Sequence, residues 1–373
     1  MNSTPPPRPR SALQRSLPRV LISLLIAAGF AWALKQGGLP FAPPAGSGKE
    51  LQWWAVPGFV VLMLLAFYFR TARWVYMLRP FFEQVSARRT FAVGLVGSGA
   101  TFFAPLRLGE MVRPYLITVT EPRLKFAQGF GTIAAERAID GLCIVLLTTL
   151  GLAFSTPISP LPDRVGKLPI PVSLVPGALR SATLLFVVAL AGMVALYFLR
   201  GHVSALVRNV VGRVSPKLAA PLAENLERVA QGLAFAGRLT SALPFGAFTI
   251  CYWVLSILAN WVLLQGIGLD ASLSQSCVVL GLLGLGSLLP AGPGFFGAYQ
   301  VAAYTALAMF YPISQVTSGG AMYVFASYVA HIGINLLVCL LGFALMSGRL
   351  DADGHGLSPE RKPAELGLER PHE

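Results

Sequence analysis

From Gly320 to Met346 the chain carries no Asp, Glu, Lys or Arg. About 20 apolar residues suffice to cross the hydrocarbon core of a bilayer, and this run exceeds that. Inside such a layer every backbone N–H and C=O must be satisfied within the protein, so the segment folds as a helix. Val20 to Lys35, Trp53 to Phe69, Phe126 to Phe154, Ser181 to Leu199 and Pro244 to Gly266 meet or approach the same standard. The expectation is an all-α polytopic membrane protein with about six full spans. Composition agrees: 12% of residues are charged, against about 25% in soluble domains.

The loops assign the sides. Counting Lys and Arg against Asp and Glu, the segments 1–19, 70–89 and 200–238 are each +4, while the loops between are weaker. Basic loops stay in the cytoplasm, which puts both termini there and makes the protein a multi-pass component of the plasma (inner) membrane. The overall charge of +13 is then a topology signal, and no nucleic-acid partner is expected. The first run follows Arg8, Arg10, Arg15 and Arg19, and Ala31-Trp32-Ala33 would pass as a signal-peptide cleavage site. We expect an uncleaved first helix instead.

Two further apolar segments enter and leave on one side. Phe91 to Pro105 is short and has basic residues at both flanks, Arg88 and Arg89 before it, Arg107 and Arg113 after it. It reads as a re-entrant helical hairpin from the cytoplasm. Ser272 to Phe310 is broken at Pro290-Ala291-Gly292-Pro293-Gly294 and must start and finish outside, as a hairpin or as two short spans. Gly94-Leu95-Val96-Gly97-Ser98-Gly99 matches Gly281-Leu282-Leu283-Gly284-Leu285-Gly286, and Pro105 with Gly109 matches Pro293 with Gly297. Small residues favoured at helix contacts are the competing explanation of that match. Broken helices entering from opposite faces otherwise point to an inverted repeat with a site near the midplane.

Three ionisable residues, Glu136, Arg137 and Asp140, lie inside Phe126 to Phe154. Each costs on the order of 2.5 to 3.5 kcal/mol at mid-membrane, so they need partners. Asp140 is i+4 from Glu136 and i+3 from Arg137, which puts them on one side of the helix. External partners are expected from Arg107, Glu110 and Arg113, which recur every third residue after Pro105. Arg113 precedes Pro114 and is expected outside helical geometry, with a guanidinium fork suited to phosphate oxygens. Arg70 and Arg73, one turn apart at the end of the second span, are either snorkelling anchors or headgroup contacts.

Other chemistry is thin. Cys143, Cys251, Cys277 and Cys339 are scattered through apolar runs with no metal-ligand spacing, and His331 reads as a polar helix contact. No metal or cofactor is expected. Leu222, Leu226, Val229 and Leu233 mark an amphipathic helix in a cytoplasmic loop over 200–240, suited to an anionic leaflet or to docking on the bundle. Residues 347–373 form an acidic cytoplasmic tail, read as disordered.

Taken together, Arg70-x-x-Arg73-Trp74, Pro105-Leu106-Arg107-Leu108-Gly109-Glu110-x-x-Arg113, Glu136-Arg137-x-x-Asp140 and Pro290-x-x-Pro293-Gly294-x-x-Gly297 resemble the lysylphosphatidylglycerol synthase transmembrane domain family, also called flippase-like membrane proteins. The resemblance covers about residues 15 to 346, and the second and third motifs carry it. It implies a flippase-like transmembrane domain over 20–346 behind a basic N-terminus, 1–19. Family members include the flippase half of enzymes that make and translocate aminoacylated phosphatidylglycerol, and stand-alone proteins linked to hopanoid or polyprenyl lipids. The soluble aminoacyl-transferase domain of the synthases is not expected here. Two departures stand out: no asparagine precedes Pro105, and Gln300 replaces an acidic residue, which argues against cation binding at the second broken segment.

The leading expectation is a lipid translocase and no enzyme. Arg107, Arg113 and Arg137 would engage the phosphate of an anionic membrane lipid, with Glu110, Glu136 and Asp140 balancing charge, Arg70 and Arg73 at the margin, and Pro105, Gly109, Pro290, Pro293, Gly294 and Gly297 as structural hinges. No nucleotide-binding loop is present. The alternatives are an intramembrane transferase acting on a lipid phosphate, with Glu136 or Asp140 as base, and a scaffold for lipid-biosynthesis enzymes.

Overall fold

The computed structural model describes residues 12–46, 51–81, 85–289 and 291–347, with the backbone alone for 12–19, 105–107, 214, 216 and 217. Pro290, much of the basic N-terminus and the acidic tail after Ser347 therefore lie outside the described residues. Apart from one isolated bridge between Val165 and Leu168 in a loop, the regular structure among the described residues is helical.

Helix α1 is Ala12–Gln36 and α2 is Ala55–Ala72, followed almost without a bend by α3, Trp74–Leu78. Helix α4, Ala87–Phe103, leads through a 3₁₀ segment, Pro105–Met111, into α5, Val112–Thr120. Then come α6, Phe126–Ala153, α7, Val175–Val214, and α8, Pro216–Ala230. After a 3₁₀ segment, Gln231–Gly237, α9 is Leu239–Gly266 and α10 is Leu273–Gly286. A last 3₁₀ turn, Pro293–Phe295, precedes α11, Ala298–Ala308, α12, Ile313–Thr317, and α13, Gly319–Ser347.

Ala55–Leu78, Val172–Arg213, Leu239–Gly266 and Ile313–Ser347 are long and apolar enough to cross a membrane. This is a multi-pass membrane protein. Helix α6 has the length, with 28 residues, but Glu136, Arg137 and Asp140 interrupt its apolar surface. Helix α2 lies along α9, α13 along α4 and α10 along α6. Phe59, Leu263, Leu282, Leu307 and Val338 belong to the main buried cluster between them. The hydroxyl of Tyr323 on α13 donates to Oδ1 of Asn260 on α9.

Helix α7 departs from expectation. It runs through Leu199 to Val214 as one helix of 40 residues, about 60 Å long and twice the hydrocarbon thickness. Nothing in that stretch breaks a helix until Ser215-Pro216. Helix α8 then folds back on α7, and Ser204 Oγ donates to Ala223 O at 3.4 Å. Its buried side chains are Ala219, Ala223 and Ala230, while Leu222 of the anticipated stripe is exposed. Small side chains let the two helices approach closely.

The two broken segments are helix–break–helix units whose ends come back together. At the open end of the first, Arg89 Nη1 of α4 pairs with Glu121 Oε1 just after α5 at 3.5 Å. At the open end of the second, Tyr311 after α11 donates to Gln275 Oε1 of α10 at 3.4 Å. The second unit opens beside the far end of α6, where Ser274 Oγ donates to Phe154 O at 2.9 Å. The first opens near the start of α6, because only a short loop separates Glu121 from Phe126. The units thus open at opposite ends of α6, a helix of about 42 Å. Helices α4 and α10 have 17 and 14 residues, about 26 and 21 Å. The inner ends of the two units touch: the rings of Phe102 and Phe295 pack edge to face with centroids 5.8 Å apart.

The hinge residues sit at these breaks. Pro105 opens the first 3₁₀ segment, and a Cβ on Gly109 would lie 2.0 Å from Ala100 O. Pro293 opens the second. Gly294 and Gly297 have φ of 69° and 91°, where side chains other than hydrogen are disfavoured. Gln300 is buried and its side chain accepts from Gly297 N at 2.7 Å, capping α11.

Candidate functional site

Arg73 is the centre of the intramembrane charge cluster. It occupies the join of α2 and α3, is fully buried, and faces α6 and α9. Its Nη2 donates to Asp140 Oδ2 at 2.6 Å, to Asp140 Oδ1 at 2.8 Å and to Glu136 Oε1 at 3.1 Å. Its Nη1 donates to Thr249 Oγ1 at 3.1 Å. Phe245 and Tyr252 of α9 place their rings 5.4 Å from the guanidinium carbon. The surface-anchor alternative drawn from the sequence does not hold for this residue, because its side chain is 0% exposed. The sequence placed it among basic flanking residues, and only helix packing turns it inward.

Arg113 reaches the other oxygen of Glu136. Its Nη1 donates to Glu136 Oε2 at 3.0 Å, and its guanidinium lies over the Trp74 ring, 4.4 Å from the centroid. It is buried and helical, contrary to the expectation that Pro114 would displace it. Proline is tolerated in the first turn of α5 because N–H groups there have no intrahelical acceptor. The side chain crosses α4 at Gly97, where a Cβ would lie 2.0 Å from Arg113 Cγ. Trp74 is held in turn by Nε1 donating to Thr132 Oγ1 at 3.0 Å, and that hydroxyl donates to Gly129 O at 2.7 Å.

Arg137 closes the cluster. Its Nη2 is 2.9 Å from Glu136 Oε1 and 3.8 Å from Asp140 Oδ2, and 30% of its side chain is exposed, whereas Arg73 has 0% and Arg113 7%. Glu110 is half-buried and close enough to add its charge to the field at Arg137. Arg70 is half-buried beside the Phe67 and Tyr252 rings and contributes to the field at Glu136. The Arg107 side chain lies outside the described residues. Its backbone is in the same 3₁₀ segment as Glu110.

Three arginines therefore share two carboxylates, an excess of one positive charge that Arg70 and Glu110 together leave unchanged. Burying ions in low dielectric is expensive, and the pairs cancel part of that cost while leaving one positive charge in excess. Thr249, Phe245 and Tyr252 were not legible as members of this site, because their only signal is a position on α9 opposite Arg73. Trp74 adjoins Arg73 in the motif but gave no hint that it carries Arg113. His331 stands apart: its Nδ1 is 2.7 Å from Ser327 O and its ring lies against Phe59 and Tyr299. Among the described residues no group of three His, Cys, Asp or Glu could hold a metal ion.

The sequence model of the lysylphosphatidylglycerol synthase TM region matches residues 20–334. The chain belongs to this family. Among curated proteins, the chain is 25% identical over 280 residues to a protein of Haloferax volcanii named glycosyltransferase AglD, covering 69% of this chain and 44% of that one. The chain thus spans less than half the length of that relative. No solved structure matches the chain.

Proposed function

We propose that this protein moves a phosphate-bearing membrane lipid, such as a phospholipid or a polyprenyl or hopanoid-type lipid, between the leaflets of the plasma (inner) membrane. In this reading both termini are cytoplasmic, about six helices span the bilayer, and the two broken segments are re-entrant hairpins of an inverted repeat. Their opposite openings along α6 and the meeting of their tips at Phe102 and Phe295 support that arrangement. The lipid phosphate docks on Arg137, the most exposed arginine of the cluster, with Arg70 and Arg107 at the margin. Arg73 and Arg113 hold the carboxylates that keep Arg137 in place, and Glu136, Asp140 and Glu110 balance the charge once the anion leaves.

The single observation that carries this reading is the excess positive charge at a buried cluster with one partly open arginine. A phosphodiester brings one negative charge and oxygens matched to a guanidinium fork. The name of the Haloferax relative favours a second reading, a transferase acting on a lipid phosphate. Against it, both Glu136 and Asp140 are engaged by arginine, which leaves neither carboxylate placed to act as a base.

Purified protein in vesicles of phosphatidylcholine and phosphatidylglycerol decides between them. A tail-labelled phosphatidylglycerol should redistribute between leaflets with its headgroup chemically unchanged by mass spectrometry. A modified headgroup would establish the transferase, and neither change would leave the scaffold reading.

A further inference from the structure

Helix α13 has no Asp, Glu, Lys or Arg, and its one basic side chain, His331, stands near the middle of its 29 residues. An ionisable side chain at that depth is costly and, where it occurs, marks an ion or substrate pathway. Polar or sulfur-bearing side chains recur every fourth residue about it, Tyr323, Ser327, His331, Asn335 and Cys339, so they share one face of α13.

Both broken segments meet α13 along this stretch. Tyr299, at the start of α11, donates from its hydroxyl to Ser327 Oγ at 2.9 Å, and its ring lies 5.7 Å from the imidazole. Tyr328 packs on Tyr299 and Phe296, and a Cβ on Gly294 would lie 3.1 Å from its hydroxyl. From the first segment, a Cβ on Gly99 of α4 would lie 2.5 Å from Cys339 Cβ and 3.3 Å from Asn335 O. His331 therefore sits between the contacts that the two segments make on one helix.

The half-buried imidazole is arranged to take a proton. Ser327 O, 2.7 Å from Nδ1, is a carbonyl oxygen and only accepts, so Nδ1 carries the hydrogen of the neutral ring and Nε2 keeps its lone pair. The rings of Phe59 on α2 and Tyr299 on α11 have centroids 5.5 and 5.7 Å away, within the range at which an aromatic ring attracts a cation. The titratable groups on this side, Tyr299 of α11 and Tyr323, Tyr328 and Cys339 of α13, are neutral at ordinary pH. Phe59 of α2, Gly99 of α4 and Asn260 of α9 bring nothing that ionises, and among the described residues no carboxylate or cation acts on the ring. The buried carboxylates Glu136 and Asp140 are already bound to arginine. A proton arriving at Nε2 thus creates an uncompensated charge inside the bilayer, which favours a parted, hydrated junction over the close-packed one.

We propose that His331 is the proton-binding site that couples the two broken segments. Nε2 gains a proton from one face of the membrane, the junction parts, and the proton leaves to the other face as the segments close again. A proton gradient then drives the lipid. The inference rests on the translocase reading for what the proton drives, but the binding of the proton can be measured by itself.

The test makes His331 the sole histidine by replacing His202, His355 and His372 with Gln, and follows its ring-carbon signals by NMR in phosphatidylcholine vesicles. The ring should titrate once between about pH 5 and 8, the range in which histidine changes charge, and adding phosphatidylglycerol should shift the midpoint. Imposing a gradient of about 1 pH unit, roughly a tenfold difference in proton activity, should change movement of tail-labelled phosphatidylglycerol severalfold. His331→Asn, whose amide can still donate to Ser327 O, should move lipid at a rate indifferent to the gradient; His331→Gln serves if that variant folds poorly. A ring that keeps one charge across that range, or a gradient effect that survives in the variant, overturns the proton site. So does lipid movement in the parent that ignores the gradient. A midpoint that shifts with phosphatidylglycerol, in a protein that moves no lipid, keeps the proton site and refutes the translocase. An unshifted midpoint with no lipid movement overturns both.

Discussion

Arg73 holds both carboxylate oxygens of Asp140, at 2.6 and 2.8 Å, across 67 residues of sequence and from a different helix. The pair is buried, so neither charge has water to fall back on, and each ion is stable only while the other is present. Most of the behaviour expected of the site follows from that dependence.

Arg73→Gln should cost about 3 to 5 kcal/mol, because Asp140 and Glu136 lose their best-buried partner. The double variant Arg73→Gln, Asp140→Asn should recover part of the loss, since the stranded charge is removed with its partner. Thermal unfolding in detergent gives the comparison. Additive losses in the double variant would mean that the two residues act independently.

Arg137→Gln should be milder for the fold, since Glu136 keeps Arg73 and Arg113, and the side chain removed is partly exposed. Its effect should fall on phosphate-bearing lipid carried through purification, quantified by mass spectrometry. Arg137→Lys should retain less lipid than the wild type, because the charge remains but the fork does not. Equal retention in all three proteins would remove Arg137 from the site.

Arg113→Lys separates a built contact from a topology signal. The ammonium cannot reproduce both the stacking on Trp74 and the hydrogen bond to Glu136, so the variant should lose about 1 to 2 kcal/mol. A residue serving only to keep a loop in the cytoplasm would tolerate lysine without change. Stability indistinguishable from wild type would therefore count against the contact.

Gly97→Val should act on the same arginine from the helix beneath it. The new Cβ and its methyl groups meet Arg113 Cγ, which must move off Glu136. Overpacking of this kind costs about 1 to 3 kcal/mol, and lipid retention should fall with stability. Arg113→Lys added to Gly97→Val should then bring little further loss, whereas an additive loss would place the two effects apart.

Single cysteines at Arg88 and Tyr115 should label from the cytoplasmic side, because Arg89 and Glu121 join the two ends of the first segment. Cysteines at Ser274 and Ile313 should label from the opposite side. Labelling of all four from one face would exclude opposed re-entrant segments.

Much of this is legible in the sequence. An apolar run reports a spanning helix because the bilayer acts on each segment separately. Glu136, Arg137 and Asp140 stood out because a charge is conspicuous in an apolar background, and their i,i+3 and i,i+4 spacing follows from helix geometry alone. Pro105, Pro293, Gly294 and Gly297 announced the breaks through their own backbone preferences. Local signals failed where a neighbour in space decided the outcome. Arg73 looked like one basic residue among several, and α7 like a helix ending at Leu199.

The sequence by itself determined the membrane class, the helices and their breaks, and which charges had to find partners, since each of these depends on a residue and its chain neighbours. The tertiary structure alone decided that Arg73 rather than Arg137 is sealed inside, that Trp74 carries Arg113, and that the tips of the two broken segments touch. These outcomes depend on which helix faces lie within a few ångströms of one another. That distance is set by side-chain packing between segments far apart in the chain, and no local pattern records it.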